Sequence, residues 1–315
     1  MAAGEEKVTL TAPEMDAIYE TISDLVQQAG QKIRQFIRES KAVEEKLSRT
    51  DLVTQTDKDV EELLIRGILA KYPDHEFIGE EGTAARDGNI PKFSNKPTWI
   101  IDPIDGTMNF VHSNPNVSVS VALAVNRHVE IGIIYLPATN QLYTARKGQG
   151  ARFNDSPVRV SKCNKLANSM VIYELWASSG SEIERDQLNV LAELMPQVHA
   201  IRSIGEYIHI VKDILSNVVE FLASCVLRSH PTCTSTTWEL LLFHKKVPLK
   251  FNSNLIIVRI VKEAGGIVLD PSGGEFDFMS RRILAAATPE LAQQVVDMKL
   301  SQQEHPREFD DVCLM

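Results

Sequence analysis

The chain has 315 residues, 33 Lys and Arg against 42 Asp and Glu, and a formal net charge of −9; apolar residues make up 43% and charged residues 24%. These proportions exclude wholesale disorder, and the length allows one large domain or two modest ones with a sizeable core. The acidic balance gives no support to a nucleic-acid or anionic-membrane surface, which clustered Lys and Arg would have to supply. A few surplus carboxylates gathered in one place could instead hold a divalent cation.

In chain order, Thr11, Pro13 and Glu14 carry a helix-start signature, a capping box with proline in the first turn. Ile18, Ile22, Leu25, Val26, Ala29, Ile33 and Phe36 then recur at helical spacing, which predicts one long helix with a single buried stripe. A second helix is predicted after Asp57, with Val60, Leu63, Leu64 and Ile68 inward, Gly67 on the same face, and an end near Pro73. Residues 98–102 read as a strand meeting Pro103. Residues 118–125 and 129–136 read as a hairpin around Asn126, Arg127 and His128, and strands come next near 141–145 and 151–153 with a turn at Asn154 and Asp155. Residues 182–194 are predicted helical and 198–204 a strand. Strands alternating with helices, with at least one hairpin, indicate a mixed α/β or α+β layered fold.

Four cysteines, Cys163, Cys225, Cys233 and Cys313, are too sparse for a disulfide framework, and none forms a C-x-x-C pair. Residues 1–10 lack a secretory signal's basic start and apolar run. No uncharged apolar stretch reaches spanning length; the run 254–268 is broken by Arg259, Lys262 and Glu263. The expected setting is therefore a reducing cytoplasm, without membrane or nucleic-acid partners.

The informative segment is 99–107. A buried strand delivers Asp102 at its end, Pro103 cannot donate to a ladder, and Asp105 comes three residues later at a turn. Gly106 and Thr107 then start a helix whose first N–H groups suit a phosphate. Upstream, Glu80 and Glu81 succeed a strand-like stretch, and Asp51 and Asp57 flank Thr54. Mg²⁺ takes a few carboxylates and fills its remaining positions with water and substrate phosphate. Two such ions can clamp a phosphoester, one activating water and the other neutralising the leaving alkoxide.

Residues 99–112 resemble the first signature of the inositol monophosphatase family, and so do 78–81 after Lys71, Tyr72 and Pro73. Lys46 with 51–57, residues 143–151, 201–205, 263–274 and 278–282 match further motifs of that family, most closely its animal inositol-1-phosphatase branch. The resemblance implies an α-β-α-β-α sandwich, one domain over 1–295 with a tail at 296–315, and a homodimer. It also implies Mg²⁺-dependent, lithium-sensitive hydrolysis of inositol monophosphate. By resemblance, Glu80, Asp102 and the carbonyl of Ile104 would bind a first Mg²⁺, and Asp102 and Asp105 a second. Thr107, backed by Asp57 and with Glu80 nearby, would orient the attacking water. The N–H groups of Gly106 and Thr107 would cradle the phosphate. Substrate contacts would extend over Glu80, Ile104, Asp105, Gly106, Thr107 and Gly205, with Lys46 as a mobile electrostatic contact near the metals.

This chain departs from the pattern in two places. Met108 stands where the family usually has a second threonine. More seriously, segment 206–259 diverges: Gly205 is succeeded by Glu206 and Tyr207, and Ser253 occupies the position, ten before Glu263, where the family's W-D-x-A motif places an aspartate. The interval from Ile201 to Glu263 is about twenty residues longer than the family spacing, an unusual insertion in a compact layer. Three readings stand: an alternative exon or mispredicted coding stretch, a divergent loop in which Glu239 beside Trp238 substitutes, or a catalytically weakened member. Two alternatives to inositol phosphate hydrolysis remain, a phosphatase for another small phosphate such as a nucleotide 3′-phosphate, and a non-catalytic dimer partner.

Overall fold

Two long helices open the chain in the computed structural model, which describes residues 7–39, 41–45, 52–84, 94–173, 181–203, 240–243, 251–276 and 283–300. Helix α1 (Ala12–Phe36) starts at the predicted box: Glu14 N–H donates to Thr11 Oγ1 at 3.4 Å, and Thr11 N–H donates to Glu14 Oε2 at 2.7 Å. Its stripe Ile18, Ile22, Val26, Ala29 and Ile33 is buried. Helix α2 (Gln55–Leu69) begins three residues earlier than the sequence suggests and ends before Pro73. It lies so close to α1 that a Cβ on Gly67 would fall 2.3 Å from Leu25 Cδ2. Strands β1 (Val43–Glu45) and β2 (Leu52–Thr54) pair antiparallel ahead of α2.

The next strands are β3 (Glu76–Gly79), β4 (Thr98–Asp105), β5 (Ser118–Val125), β6 (His128–Leu136), β7 (Gln141–Arg146), β8 (Gly150–Phe153) and β9 (Ser156–Val158). They form one seven-stranded sheet in that order, antiparallel except for the parallel pair β3 and β4. Short helices α3 (Glu80–Ala84) and α4 (Thr107–Val111) leave the ends of β3 and β4. The predicted β5–β6 hairpin turns at Asn126 and Arg127, both at positive φ (51° and 66°), which matches the twist of the flanking strands. Asn154 and Asp155 make the second predicted turn in the same way.

The second sheet has five strands in the order β11 (Ala200–Arg202), β10 (Met170–Ile172), β12 (Leu240–Phe243), β14 (Ile283–Ala286), β13 (Ile267–Leu269). Strand β12 comes from the divergent segment, pairing parallel with β10 and antiparallel with β14. Helices α5 (Ser181–Leu194), α6 (Phe251–Glu263) and α7 (Pro289–Asp297) complete the described elements.

Three buried clusters define the layers. Residues of α1 and α2 pack on one face of the seven-stranded sheet, against Trp99, Ile101, Val121 and Ile133. Ile256, Ile257, Ile260 and Val261 of α6 pack between Ile100, Ala122 and Ile134 of that sheet and Ile172, Ile283 and Ala285 of the other. Val190 and Leu194 of α5 and Leu291 and Val295 of α7 cover Val171, Leu284 and Ala286 on the far side. The sequence of layers is α-β-α-β-α, as expected, because each sheet must bury both faces.

Candidate active site

The site grows from the carboxyl ends of β3 and β4. These strands run parallel with Gly79 opposite Ile101, so Glu80 and Asp102 come next, side by side in adjacent chain segments. Strand β4 does not stop at Asp102, as the sequence suggested, but continues through Pro103 to Asp105. The ladder to β5 moves from Asp102 opposite Ser120 to Asp105 opposite Ser118, three steps against two. One extra residue is thus held in a bulge, which accommodates a proline that cannot donate to a ladder and re-aims the chain at Asp105. Gly106, at φ 87° and ψ 40°, then turns the chain into α4 through a left-handed conformation that suits glycine. Thr107 is the first residue of that helix.

Helix α2 supplies the opposite wall. Asp57 Oδ2 accepts the N–H of Thr54 at 2.9 Å and its hydroxyl at 2.5 Å, a reciprocal capping arrangement that pins the carboxylate. Thr107 Oγ1 lies 3.3 Å from Asp57 Oδ1 and 3.1 Å from the carbonyl oxygen of Ile104, and donates its single proton toward this pair. A hydroxyl whose proton is so engaged presents its lone pairs outward as acceptors. Glu61, one turn after Asp57, accepts backbone N–H groups of Glu81 and Gly82, each at 2.9 Å.

Asp57, Glu61, Glu80, Asp102 and Asp105 are all at least nine-tenths buried, with Asp102 0% exposed. Carboxylates gathered out of water need donors or cations around them. Glu61 and Asp57 have those donors in the amides and hydroxyls they accept from. Among the described residues no three acidic, imidazole or thiol groups stand close enough to enclose one ion. The backbone instead sets Glu80 and Asp102 just past the paired residues Gly79 and Ile101, with Ile104 and Asp105 two and three residues beyond Asp102 on the same strand. Hard oxygen donors, two carboxylates at a time, fit Mg²⁺, which keeps several waters and seldom occupies an all-protein cage.

The structure therefore joins Asp57, Ile104 and Thr107 by direct contacts, and sets Glu80, Asp102, Asp105 and Gly106 on adjoining strand ends. Gly205, Lys46, Glu206 and Glu239 lie outside the described residues. Position 253 falls in the first turn of α6, where the family's aspartate-bearing helix is expected to begin. Sequence reasoning missed Thr54 and Glu61. The T-x-x-D spacing of Thr54 and Asp57 and the position of Glu61 on the inward face of α2, in line with Leu64 and Ile68, were the available signals.

The family profile described as "Inositol monophosphatase family" matches residues 14–220. Rat inositol monophosphatase 1 is 38% identical over 272 residues, 86% of this chain and 90% of that protein, so the likeness extends past the divergent segment's start. Among solved structures, the extragenic suppressor protein SuhB of Bartonella henselae superposes with a TM-score of 0.74 at 24% identity, covering 91% of this chain and 99% of that one. The inositol monophosphate-bound SaIMPase-II of Staphylococcus aureus superposes with a TM-score of 0.66 at 22% identity, covering 89% and 92%. The two bacterial structures share the fold. The family profile and the 38% identity across most of both chains go further, and with them the chain with its strand-end carboxylates belongs to the inositol monophosphatase family.

Proposed function

We propose that this chain is a Mg²⁺-dependent phosphomonoester hydrolase that converts myo-inositol monophosphate to myo-inositol and phosphate. The observation that carries the reading is the contact of Thr107 Oγ1 with buried Asp57 Oδ1, at the end of the strand that bears Asp102 and Asp105. Glu80, Asp102 and the Ile104 carbonyl would hold a first ion, and Asp102 with Asp105 a second. Bound there, Mg²⁺ supplies a more acidic water and charge neutralisation for the leaving alkoxide. Asp57 fixes the Thr107 hydroxyl so that its lone pair accepts from the attacking water and aims it in line with the phosphorus. The N–H groups of Gly106 and Thr107, freed by the left-handed turn into α4, face the phosphate oxygens. In this reading Gly205 would contact the substrate and Lys46 would act as a mobile electrostatic contact near the metals. Family resemblance supports a cytoplasmic homodimer, and among the described residues no helix is long and apolar enough to cross a membrane.

Ser253 sets the limit on this activity. A second ion held by Asp102 and Asp105 without a third carboxylate binds weakly, and disturbing even an outer partner of a metal ligand typically costs about 10–100-fold in affinity or activity. Phosphate release from inositol 1-phosphate by the purified chain should therefore need high Mg²⁺, and Ser253→Asp should lower the half-saturating Mg²⁺ by about 10–100-fold. Thr107→Ala should lower turnover by about 100-fold or more. Turnover independent of Mg²⁺, or undiminished in Thr107→Ala, would overturn the proposal. Faster hydrolysis of a nucleotide 3′-phosphate would reassign the substrate, and no turnover by a folded dimer would make the chain a non-catalytic partner.

A further inference from the structure

We propose that Glu61 is the positioning residue for Glu80, clamping the turn from β3 into α3 and thereby setting the cation site. The inference rests on the reading of Glu80 as a metal ligand.

A helix is ordinarily capped by the side chain of the residue just before it, which accepts an orphan N–H of the first turn. Helix α3 begins at Glu80, and the residue before it is Gly79, which has no side chain to offer. The cap comes from a neighbouring helix instead. Glu61, 6% exposed, reaches across from α2, Oε2 accepting the N–H of Glu81 and Oε1 that of Gly82. Both bonds are charge-assisted and together form a two-pronged grip. Gly79 and Glu61 are complementary: a Cβ on Gly79 would fall 2.6 Å from Glu61 Cδ and Oε1. The missing side chain is what makes room for the carboxylate.

Glu80 lies between these two fixed points. On one side Gly79 is locked opposite Ile101 in the sheet, and on the other the Glu81 and Gly82 amides are locked on Glu61. Helix α2 therefore governs both walls of the site. One turn carries Asp57, which engages Thr107, and the next carries Glu61, which holds the Glu80 turn. A tilt of α2 would move both walls together. A capping role alone would leave the metal unaffected, so the decisive readout is metal binding itself.

The test uses the full chain, metal-stripped, with Mn²⁺ binding measured by titration calorimetry, metal-free thermal unfolding, and Mg²⁺ dependence of turnover. Glu61→Gln loses one acceptor and turns an amide N–H₂ toward a backbone N–H. Glu61→Asp keeps the charge but falls one methylene short. Gly79→Ala leaves Glu61 intact and displaces its carboxylate. All three should weaken Mn²⁺ binding by about 10–100-fold and raise half-saturating Mg²⁺ in proportion, with kcat at saturation far less affected. Wild-type binding by Glu61→Asp beside a weakened Glu61→Gln would reduce the effect to charge and overturn the clamp. Wild-type binding by all three would overturn it too, provided Glu80→Gln is weakened. Wild-type binding by Glu80→Gln would instead sink the reading of Glu80 as a ligand. Loss of cooperative metal-free unfolding in all three would make Glu61 a folding residue and likewise overturn the proposal.

Discussion

The Nδ1 atom of His75 accepts the indole N–H of Trp99 at 2.9 Å, and its ring stacks on Tyr72 with centroids 4.9 Å apart. Burial holds this imidazole below the ordinary histidine value of 6.5, against an opposing pull from Asp74. The neutral form is the one that fits, since a protonated Nδ1 cannot accept. Below pH 6.5 the unfolded chain binds the proton that the folded chain refuses. Stability present above that pH should therefore fall as pH drops toward the lowered value. Urea midpoints at neutral and mildly acidic pH check this: the wild type should lose more on acidification than His75→Gln, which keeps an acceptor but cannot titrate. Equal losses would remove His75 as the cause. At this scale the sequence was uneven. Asp102, Asp105 and Thr107 announce themselves because strand end, proline, glycine and hydroxyl fall in one short run. Glu61 offers only its place in line with Leu64 and Ile68, and its role stays hidden until the amides it meets, some twenty residues on, are placed beside it.

Elements were legible where one face repeats. The stripe of α1 and the alternation of β5 obey periodicities that burial enforces, so their bounds came close. Strand β4 was different: proline argued for an end at Asp102, yet the strand runs on because a bulge absorbs the unpaired residue, and only the partner strand reveals a bulge. Contacts between elements are also hidden from sequence. Gly30 looks like a flaw in α1, yet a Cβ there would fall 2.2 Å from Tyr135 Cε1. The ring cannot swing aside, because its hydroxyl accepts from Arg34 Nη1 at 2.6 Å and donates to Asn140 Oδ1 at 2.8 Å. Alanine in a helix interior is worth about 1 kcal/mol over glycine, and overpacking a tight core costs about 1–3 kcal/mol. Gly30→Ala should therefore lower stability by up to about 2 kcal/mol in denaturant unfolding. A gain would mean that the ring gives way.

The molecule as a whole is organised around α6, which packs both sheets through one continuous cluster. Ile260 is 0% exposed within that cluster. Truncating it to alanine should cost about 2–5 kcal/mol. The loss should appear on both sides of the helix: amide exchange at Ile133 in the seven-stranded sheet and at Ala285 in the five-stranded sheet should quicken by similar factors. Exchange confined to one sheet would show that the two unfold independently. The same helix carries Ser253 in its first turn, so the element that ties the layers together is also the one whose sequence departs from the family at the site.

By itself the sequence determined the layer-forming elements, the divergence after Gly205 and the chemistry gathered in residues 99–107, because periodicity and short motifs are local properties of a chain. The Asp57–Thr107 pairing was implied by resemblance, and the structure gave it a contact; only the tertiary structure decided that Glu61 caps a helix whose own cap is a glycine, and that α6 lies between two sheets. These depend on which surfaces pack together, and packing joins residues by distance in space, which their separation along the chain does not encode.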